Sequence, residues 1–321
     1  MAKIAHSFLA AVLFALAAPF ASAAQSEKPV RFIIPFAPGG TNDILGRIVA
    51  DKLSARLNQA VVIDNRGGAN MVIGTEIVAR ATPDGHTILM VAAGFAVNPS
   101  LRVSLPYDSV RDFAPVSLVG GGPYLMVVNA SVPAKTLGEF IAWTKSRPGQ
   151  VSYASVGVGS PPHLAAELLK LAARIDMQHV PYKGGGAVLP DLLGGRVATF
   201  FGSFATLRPH VQSGKLRAIG VTTLQRSATM PEVPTFAESG LPGFEVYGWY
   251  GVLLPGKTPR AIVNRLNADI RAVLEDADTR QRFAQTGMDV KPSTPEEFAA
   301  LIRTETAKWA KVVKAAGIQP E

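Results

Sequence analysis

Ser160 and His163 stand three residues apart at what reads as a helix start, and a hydroxyl beside an imidazole is the pairing here that could furnish a nucleophile with its base. No Asp or Glu lies at a recognisable spacing to complete such a set. Of the other histidines beyond the N-terminal stretch, His86 opens a strand-like run, His179 sits within one, and neither pairs with His210 at a spacing that would hold a metal from one helix face. The 321 residues contain no cysteine, which excludes disulfides, thiolate nucleophiles, Cys-based zinc sites and iron–sulfur ligation together. Gly-x-Ser-x-Gly, Walker A, His-Glu-x-x-His and Gly-x-Gly-x-x-Gly signatures do not occur. The nearest approach, Gly157-Val-Gly159-Ser160-Pro161-Pro162, lacks the third glycine of a dinucleotide site. The expectation is a protein that is not an enzyme, with no catalytic residue, metal or cofactor.

What remains is a chemistry of main-chain donors. Glycine turns follow apolar runs at Pro38-Gly39-Gly40-Thr41, Gly94-Phe95, Gly157-Val-Gly159-Ser160 and Lys183-Gly184-Gly185-Gly186. In a parallel sheet each falls at the carboxyl edge, where backbone N–H groups and positive helix ends converge on a crevice and can hold an anion without arginine. One such turn alone needs only the freedom of glycine. Several that end in Thr or Ser at a helix start point to a crevice receiving a carboxylate group.

Such turns need strands before them and helices after them. Val30 to Phe36 is a short apolar run rich in β-formers, and Ile44, Leu45, Ile48, Val49, Leu53 and Leu57 then keep a helical period. Val61-Val62-Ile63 leads through Asn65-Arg66-Gly67-Gly68 toward a helix near 72–80, and Thr87 to Val91 leads into Ala92-Ala93-Gly94. Further strands are expected at 125–129, 151–154, 177–181, 197–201 and 216–222, and a strand-like run resumes from Phe244 to Leu254. This alternation predicts a mainly parallel α/β sheet. Thr136-Leu-Gly-Glu139 and Thr294-Pro-Glu-Glu297 have the form of capping boxes, and Ser160-Pro161 and Thr258-Pro259 place proline in a first turn. The last helix, near 294–314, carries Phe298, Leu301, Ile302, Trp309, Val312 and Val313 as a core stripe. Between 226 and 243 the prolines and glycines predict an ordered loop lying over a domain.

At about 150 residues per domain the length suggests two domains. A hydrophobic share of 48% against 17% charged residues suits buried cores and excludes a disordered chain. The formal charge of +8 comes from basic residues scattered along the chain, which gives no footprint for nucleic acid. Residues 1–23 read as a signal peptide: Lys3, an apolar run from Phe8 to Phe20, and Ala21-Ser22-Ala23 for cleavage. Without a cysteine beyond it no lipid anchor is expected, so the chain reads as freely soluble in the periplasm.

Phe36-Ala-Pro-Gly-Gly-Thr-Asn-Asp43, Asp176-Met-Gln-His-Val-Pro-Tyr-Lys-Gly184, Gly214-Lys-Leu-Arg217, Pro231-Glu-Val-Pro-Thr235, Gly240-Leu-Pro-Gly243 and Ser293-Thr-Pro-Glu-Glu-Phe298 resemble the Bug (Bordetella uptake gene) family, which is similar to the receptor of tripartite tricarboxylate transporters. The resemblance implies a two-lobed periplasmic binding protein of the Venus flytrap, type II-like α/β class, with two mainly parallel sheets flanked by helices and closing on a small carboxylate. It puts the crossings near Pro123–Val127 and Tyr247–Gly251, with lobe one at 24–124 and 249–321 and lobe two at 125–248. It also implies ligand contacts from Phe36, Gly39, Gly40, Thr41, Asp43, Gly94, Phe95 and Asn98 in lobe one, and from Ser155, Gly157, Gly159, Ser160, His163, Tyr182, Lys183 and Gly184 in lobe two. Within these, Gly39, Gly40 and Gly159 let the main chain approach the ligand, Thr41 and Ser160 donate hydroxyls, and Asp43 anchors waters or amides. Met71, in a turn that departs from the family's Asn-Arg-Pro pattern, is placed to narrow the entrance. Phe95, Phe201 and Trp249 hint at an apolar or aromatic acid, with core packing as the alternative.

The leading reading is a monomeric receptor that delivers its carboxylate to the membrane subunits of a tripartite tricarboxylate-type transporter. An exported hydrolase using Ser160 and His163, and a sensing subunit for a membrane histidine kinase, are the alternatives.

Overall fold

The computed structural model describes residues 28–182 and 185–320; the expected leader at 1–23, Lys183 and Gly184 lie outside them. The chain opens with β1 (Val30–Ile34), α1 (Thr41–Leu57), β2 (Val61–Asn65), α2 (Val72–Ala79) and β3 (Thr87–Ala92). A tight turn of 3-10 helix at Ala93–Ala96 runs into the single-turn helix α3 (Asn98–Leu101), and β4 (Phe113–Pro123) passes through Tyr124 into β5 (Leu125–Asn129). Then come α4 (Leu137–Lys145), β6 (Ser152–Ser155), α5 (Pro161–Ala173), β7 (Gln178–Pro181), α6 (Gly185–Leu193), β8 (Thr199–Gly202), α7 (Phe204–Gln212) and β9 (Leu216–Val221). After a long loop the chain returns as β10 (Tyr247–Pro255), α8 (Arg260–Glu275), α9 (Ala277–Gln285), β11 (Asp289–Val290) and α10 (Pro295–Ala315).

Two sheets result, ordered β11-β4-β10-β3-β1-β2 and β7-β6-β8-β5-β9. In the first, β2 and β3 flank β1 in parallel, and β10 lies antiparallel between β3 and β4. In the second, β7 and β8 flank β6 in parallel, and β5 lies antiparallel between β8 and β9. The reversed strands follow from the route of the chain. β4 leaves the first sheet at its carboxyl end, so its continuation β5 must run away from the seam, and β10 must do the same on the way back. The remaining long strands of both sheets therefore point their carboxyl ends at the seam, the edge where open α/β sheets bind ligands.

β4 was not legible as a strand. Its Phe113-Ala-Pro-Val-Ser-Leu-Val-Gly-Gly-Gly-Pro123 sequence carries the residues that normally break one, yet packing demands them. A Cβ on Gly120 would lie 2.4 Å from the Asp289 carbonyl oxygen, and one on Gly121 2.4 Å from that of Gly248. Close approach of the crossing strands, rather than a turn, is what these glycines serve.

The final helix is anchored by the expected capping box: Thr294 Oγ1 accepts from the Glu297 N–H at 3.1 Å and Glu297 Oε2 from the Thr294 N–H at 2.8 Å. At Thr136 the reciprocal half differs, because Glu139 reaches back to the Lys135 N–H instead. The apolar stripe of α10 serves two cores. Phe298 and Ile302 join the cluster of Ile33, Leu89, Phe95 and Leu253 under the first sheet, whereas Trp309, Val312 and Val313 join that of Met126, Tyr153, Leu164 and Phe201 under the second. Burying each such side chain contributes about 1.5–3 kcal/mol, so α10 is a strap across both lobes. The stretch from 226 to 243 holds no helix or strand, and Met230, Val233 and Phe236 fasten it to the second lobe. No helix among the described residues is long and apolar enough to cross a membrane.

Candidate functional site

Phe36 to Asp43 joins β1 to α1 at the carboxyl edge, and Asp43 organises it. The carboxylate is buried, and its Oδ2 accepts from the Gly39 N–H at 2.9 Å and from Arg47 Nε at 3.0 Å. Asn65 Nδ2 donates to Asp43 Oδ1 at 3.0 Å and to the Phe36 carbonyl oxygen at 3.1 Å, tying the β2 turn to the β1 turn. Burial opposes the charge, but the bonds from Arg47, Gly39 and Asn65 outweigh it and hold the carboxyl below its ordinary range. Asp43 thus shapes the turn through a main-chain amide and is neutralised there. Gly40 is the N-cap of α1, and Thr41, Asn42 and Asp43 supply its first turn. Their N–H groups precede the first intrahelical donor, the Ile44 N–H to Gly40 O, and so stand outside the hydrogen-bond ladder of the helix. Asn42 Oδ1 is a buried acceptor with no hydrogen-bond donor on it, a feature the sequence does not single out.

Pro35 to Pro38, Asn65, Gly67, Gly68, Asn70 and Met71 line a cavity of about 540 Å³ on this edge. Phe36 alone among the expected contacts forms part of its wall. Ala69, Asn70 and Met71 are consecutive left-handed residues, with φ of 47°, 52° and 76°, an arrangement that costs energy for non-glycine residues and that surrounding bonds must hold. Asn70 Nδ2 donates to Asn98 Oδ1 and Asn98 Nδ2 to the Asn70 carbonyl oxygen, both at 2.8 Å. Met71 is buried over Gly94, where a Cβ would meet its Cε at 2.8 Å. Asn98 and Gly94 therefore act on the cavity through the loop they support.

The turn between β6 and α5 is built on the same plan with different chemistry. The Gly159 N–H donates to His163 Nδ1 at 3.0 Å, and Ser160 Oγ donates to the Gly157 carbonyl oxygen at 2.6 Å. Ser155 Oγ accepts from the Gly157 N–H at 3.1 Å and lies 2.6 Å from His179 Nε2. His163 stacks on His179 at 4.0 Å, and Tyr153 continues the stack. Burial, then the charges of the neighbouring His179 and Lys170, pull the His163 imidazole down to about 3, so it is neutral and serves as an acceptor. Pro161 and Pro162 open α5 without N–H groups, leaving this helix start poorer in donors than that of α1.

These bonds correct several expectations. The Ser160 hydroxyl and the Gly159 amide are engaged within the turn rather than offered outward. Tyr182 turns its hydroxyl to Asp191 Oδ2 at 2.8 Å. Phe95 packs against Tyr107 and Phe113, Phe201 against Phe236, and Trp249 edge-on against Phe298, each fully buried. Phe200 and Phe201 point to opposite faces of β8, one into each core of the second lobe, as strand alternation requires. The hint of an aromatic acid carried by these rings lapses. Ser160 and His163 likewise make no nucleophile and base pair, since each is bonded to the turn's own backbone. No group of His, Asp and Glu among the described residues is placed to hold a metal ion.

The two turns meet. Gly159 has φ of 71°, and a Cβ there would lie 1.9 Å from Leu101 Cδ1, on the helix that follows the β3 turn. Loops from the carboxyl edges of both sheets thus close on each other.

A chain built this way has relatives. Residues 45–318 match the family model described as tripartite tricarboxylate transporter family receptor. Protein BugT of Bordetella pertussis is 38% identical over 304 residues, 94% of this chain and 93% of its own. Among solved structures, Rpa4515 of R. palustris with adipate superposes with a TM-score of 0.82 at 33% identity, covering 92% of this chain and 100% of that one. MatC of Rhodopseudomonas palustris with bound malate gives a TM-score of 0.77 at 32% identity, covering 89% and 98%. The chain belongs to the tripartite tricarboxylate transporter receptor family, the Bug-type periplasmic solute-binding proteins, which are not enzymes.

Proposed function

We propose that this receptor captures a small carboxylate between its lobes, holding it mainly by main-chain N–H groups at the start of α1, and delivers it to the membrane subunits of a tripartite transporter. The lobes divide as 24–124 with 249–321, and 125–248, with α10 strapping them. Residues 1–23 are a leader removed on export, and the receptor works as a monomer. The observation that carries this reading is that the glycine turn after β6 in one sheet packs on Leu101, in the helix after β3 of the other, while the start of α1 at the same carboxyl edge has its Asp43 carboxylate paired with Arg47. Relatives solved with adipate and with malate support small carboxylic acids as the class.

Binding favours the closed arrangement by the contacts it adds, and no covalent step is needed. Calorimetry on ligand-stripped protein with mono-, di- and tricarboxylates tests it directly: one or more should bind saturably, and a flat response across the panel overturns the reading. Mass spectrometry of small molecules released from freshly purified protein should identify an organic acid. Cross-linking in native membranes should join the loaded receptor to transporter subunits; capture of a histidine kinase instead would reassign the partner.

A further inference from the structure

We infer that Leu101 sets the affinity of this receptor without touching its ligand, by acting as the knob that the second lobe closes upon; the inference rests on the receptor reading above. Leu101 ends the single-turn helix α3 of the first lobe, yet it and Val97 pack within the cluster of Met126, Tyr153, Leu164 and Phe201 belonging to the second. Its exposure is 6%. The hollow that receives it is Gly159, where any Cβ would overlap Leu101 Cδ1. One end of this contact is tied to the cavity and the other to the second-lobe turn. Asn98, three residues before Leu101, exchanges two hydrogen bonds with Asn70 of the cavity wall, and Gly159 hangs on His163. A movement that draws α3 away from the β6–α5 turn exposes Leu101 and empties the Gly159 hollow, so this apolar contact weights the equilibrium toward the closed arrangement. A ligand selects that state, and its apparent affinity scales with the closed fraction.

The test uses calorimetric titration of the full receptor with adipate, malate and benzoate. For whichever acid the native protein binds, Leu101→Ala should raise Kd by about tenfold, chiefly through faster dissociation. Leu101→Met, which keeps the volume, should bind within about twofold of native. An unchanged Kd in folded Leu101→Ala overturns the inference, as does an equal loss in the Met variant. Because the chain has no cysteine, Leu101→Cys with Gly159→Cys gives a thiol pair free of background. A Cβ on Gly159 lies 3.2 Å from Leu101 Cγ, the position a cysteine Sγ at 101 can take, which brings it within reach of a thiol carried at 159. Oxidation should lock the pair, faster when the acid is present; folded protein in which no disulfide forms also overturns the inference. If none of the three acids binds native protein, that bears on the ligand class, and the thiol pair still reports on the seam.

Discussion

The two lobes solve one problem twice, with different chemistry. In each, the turn after the first parallel strand is held by a side chain from the following helix that accepts the N–H of a glycine four residues earlier: Asp43 for Gly39, His163 for Gly159. The acceptor of the first lobe is a carboxylate neutralised by Arg47, and its helix starts with N–H groups intact. The acceptor of the second is a neutral imidazole stacked on another, and its helix starts with two prolines. The two lobes divide the labour. The first lobe keeps helix-start N–H groups and covers its negative charge with Arg47, as the proposed capture of a carboxylate requires; the second presents a hollow at Gly159 filled by Leu101 of the first.

Both glycines are left-handed, with φ of 85° at Gly39 and 71° at Gly159, but their surroundings differ. The largest effect is expected at Gly159→Val. A β-branched residue is strained at positive φ and must also displace Leu101, for about 2–3 kcal/mol together. Stability should fall by about that energy, while only the share spent on displacing Leu101, about 1 kcal/mol, should weaken binding, by about fivefold to tenfold by calorimetry. Native-like affinity would mean that the lobes bind without meeting at this point.

Asp43→Asn comes next. The amide keeps the shape but loses the charge and sets an NH2 group against donors from Gly39 and Arg47. Thermal unfolding should show a loss of about 2 kcal/mol, with weaker binding because the turn before α1 is loosened. A neutral outcome would show that the carboxylate is not what holds this turn.

Acid should separate the two acceptors. His163 in the unfolded chain protonates near 6.5, while in the folded protein it is held down to about 3, so the unfolded chain takes up more protons as pH falls between those values and stability drops. Asp43, held below 3.8, keeps its contribution down to about pH 4 and loses it only as pH falls below 3.8. His163→Gln, whose oxygen can accept the same amide without titrating, should flatten the loss between pH 6 and 4 by up to about 1 kcal/mol per pH unit. Equal acid sensitivity in the variant would place the titrating group elsewhere.

Much of this arrangement could be read in the sequence, and the rest could not for definable reasons. Turn, helix start and β-former runs are local signals, so the strands either side of the glycine turns and the Thr294 capping box were visible. β4 was hidden because Gly120, Gly121 and Gly122 are needed by neighbours distant in the chain, and nothing local announces them. The stripe on α10 announced burial but not that its two halves enter different cores, since periodicity names a face and not a partner. Phe95, Phe201 and Trp249 show the same limit from the other side: an aromatic after a cleft-edge strand reads alike whether its ring faces ligand or core. The spacing of four between Gly159 and His163 was present in the sequence, and it carries the signal that places this imidazole behind the turn rather than in front of it.

The smallest effect is expected where the comparison is cleanest. A Cβ on Gly39 meets nothing within 4 Å, so Gly39→Ala adds backbone strain without a steric contact and should cost about 1 kcal/mol of stability. Because the Gly39 N–H to Asp43 bond does not depend on a side chain at 39, affinity should change less than about threefold, well short of the loss at Gly159. Paired calorimetry of Gly39→Ala and Gly159→Ala would therefore isolate the part that belongs to lobe closure, since both carry similar strain and the second alone collides with Leu101. If the two variants lost affinity equally, strain in the turns, and not the fit of one lobe into the other, would govern capture.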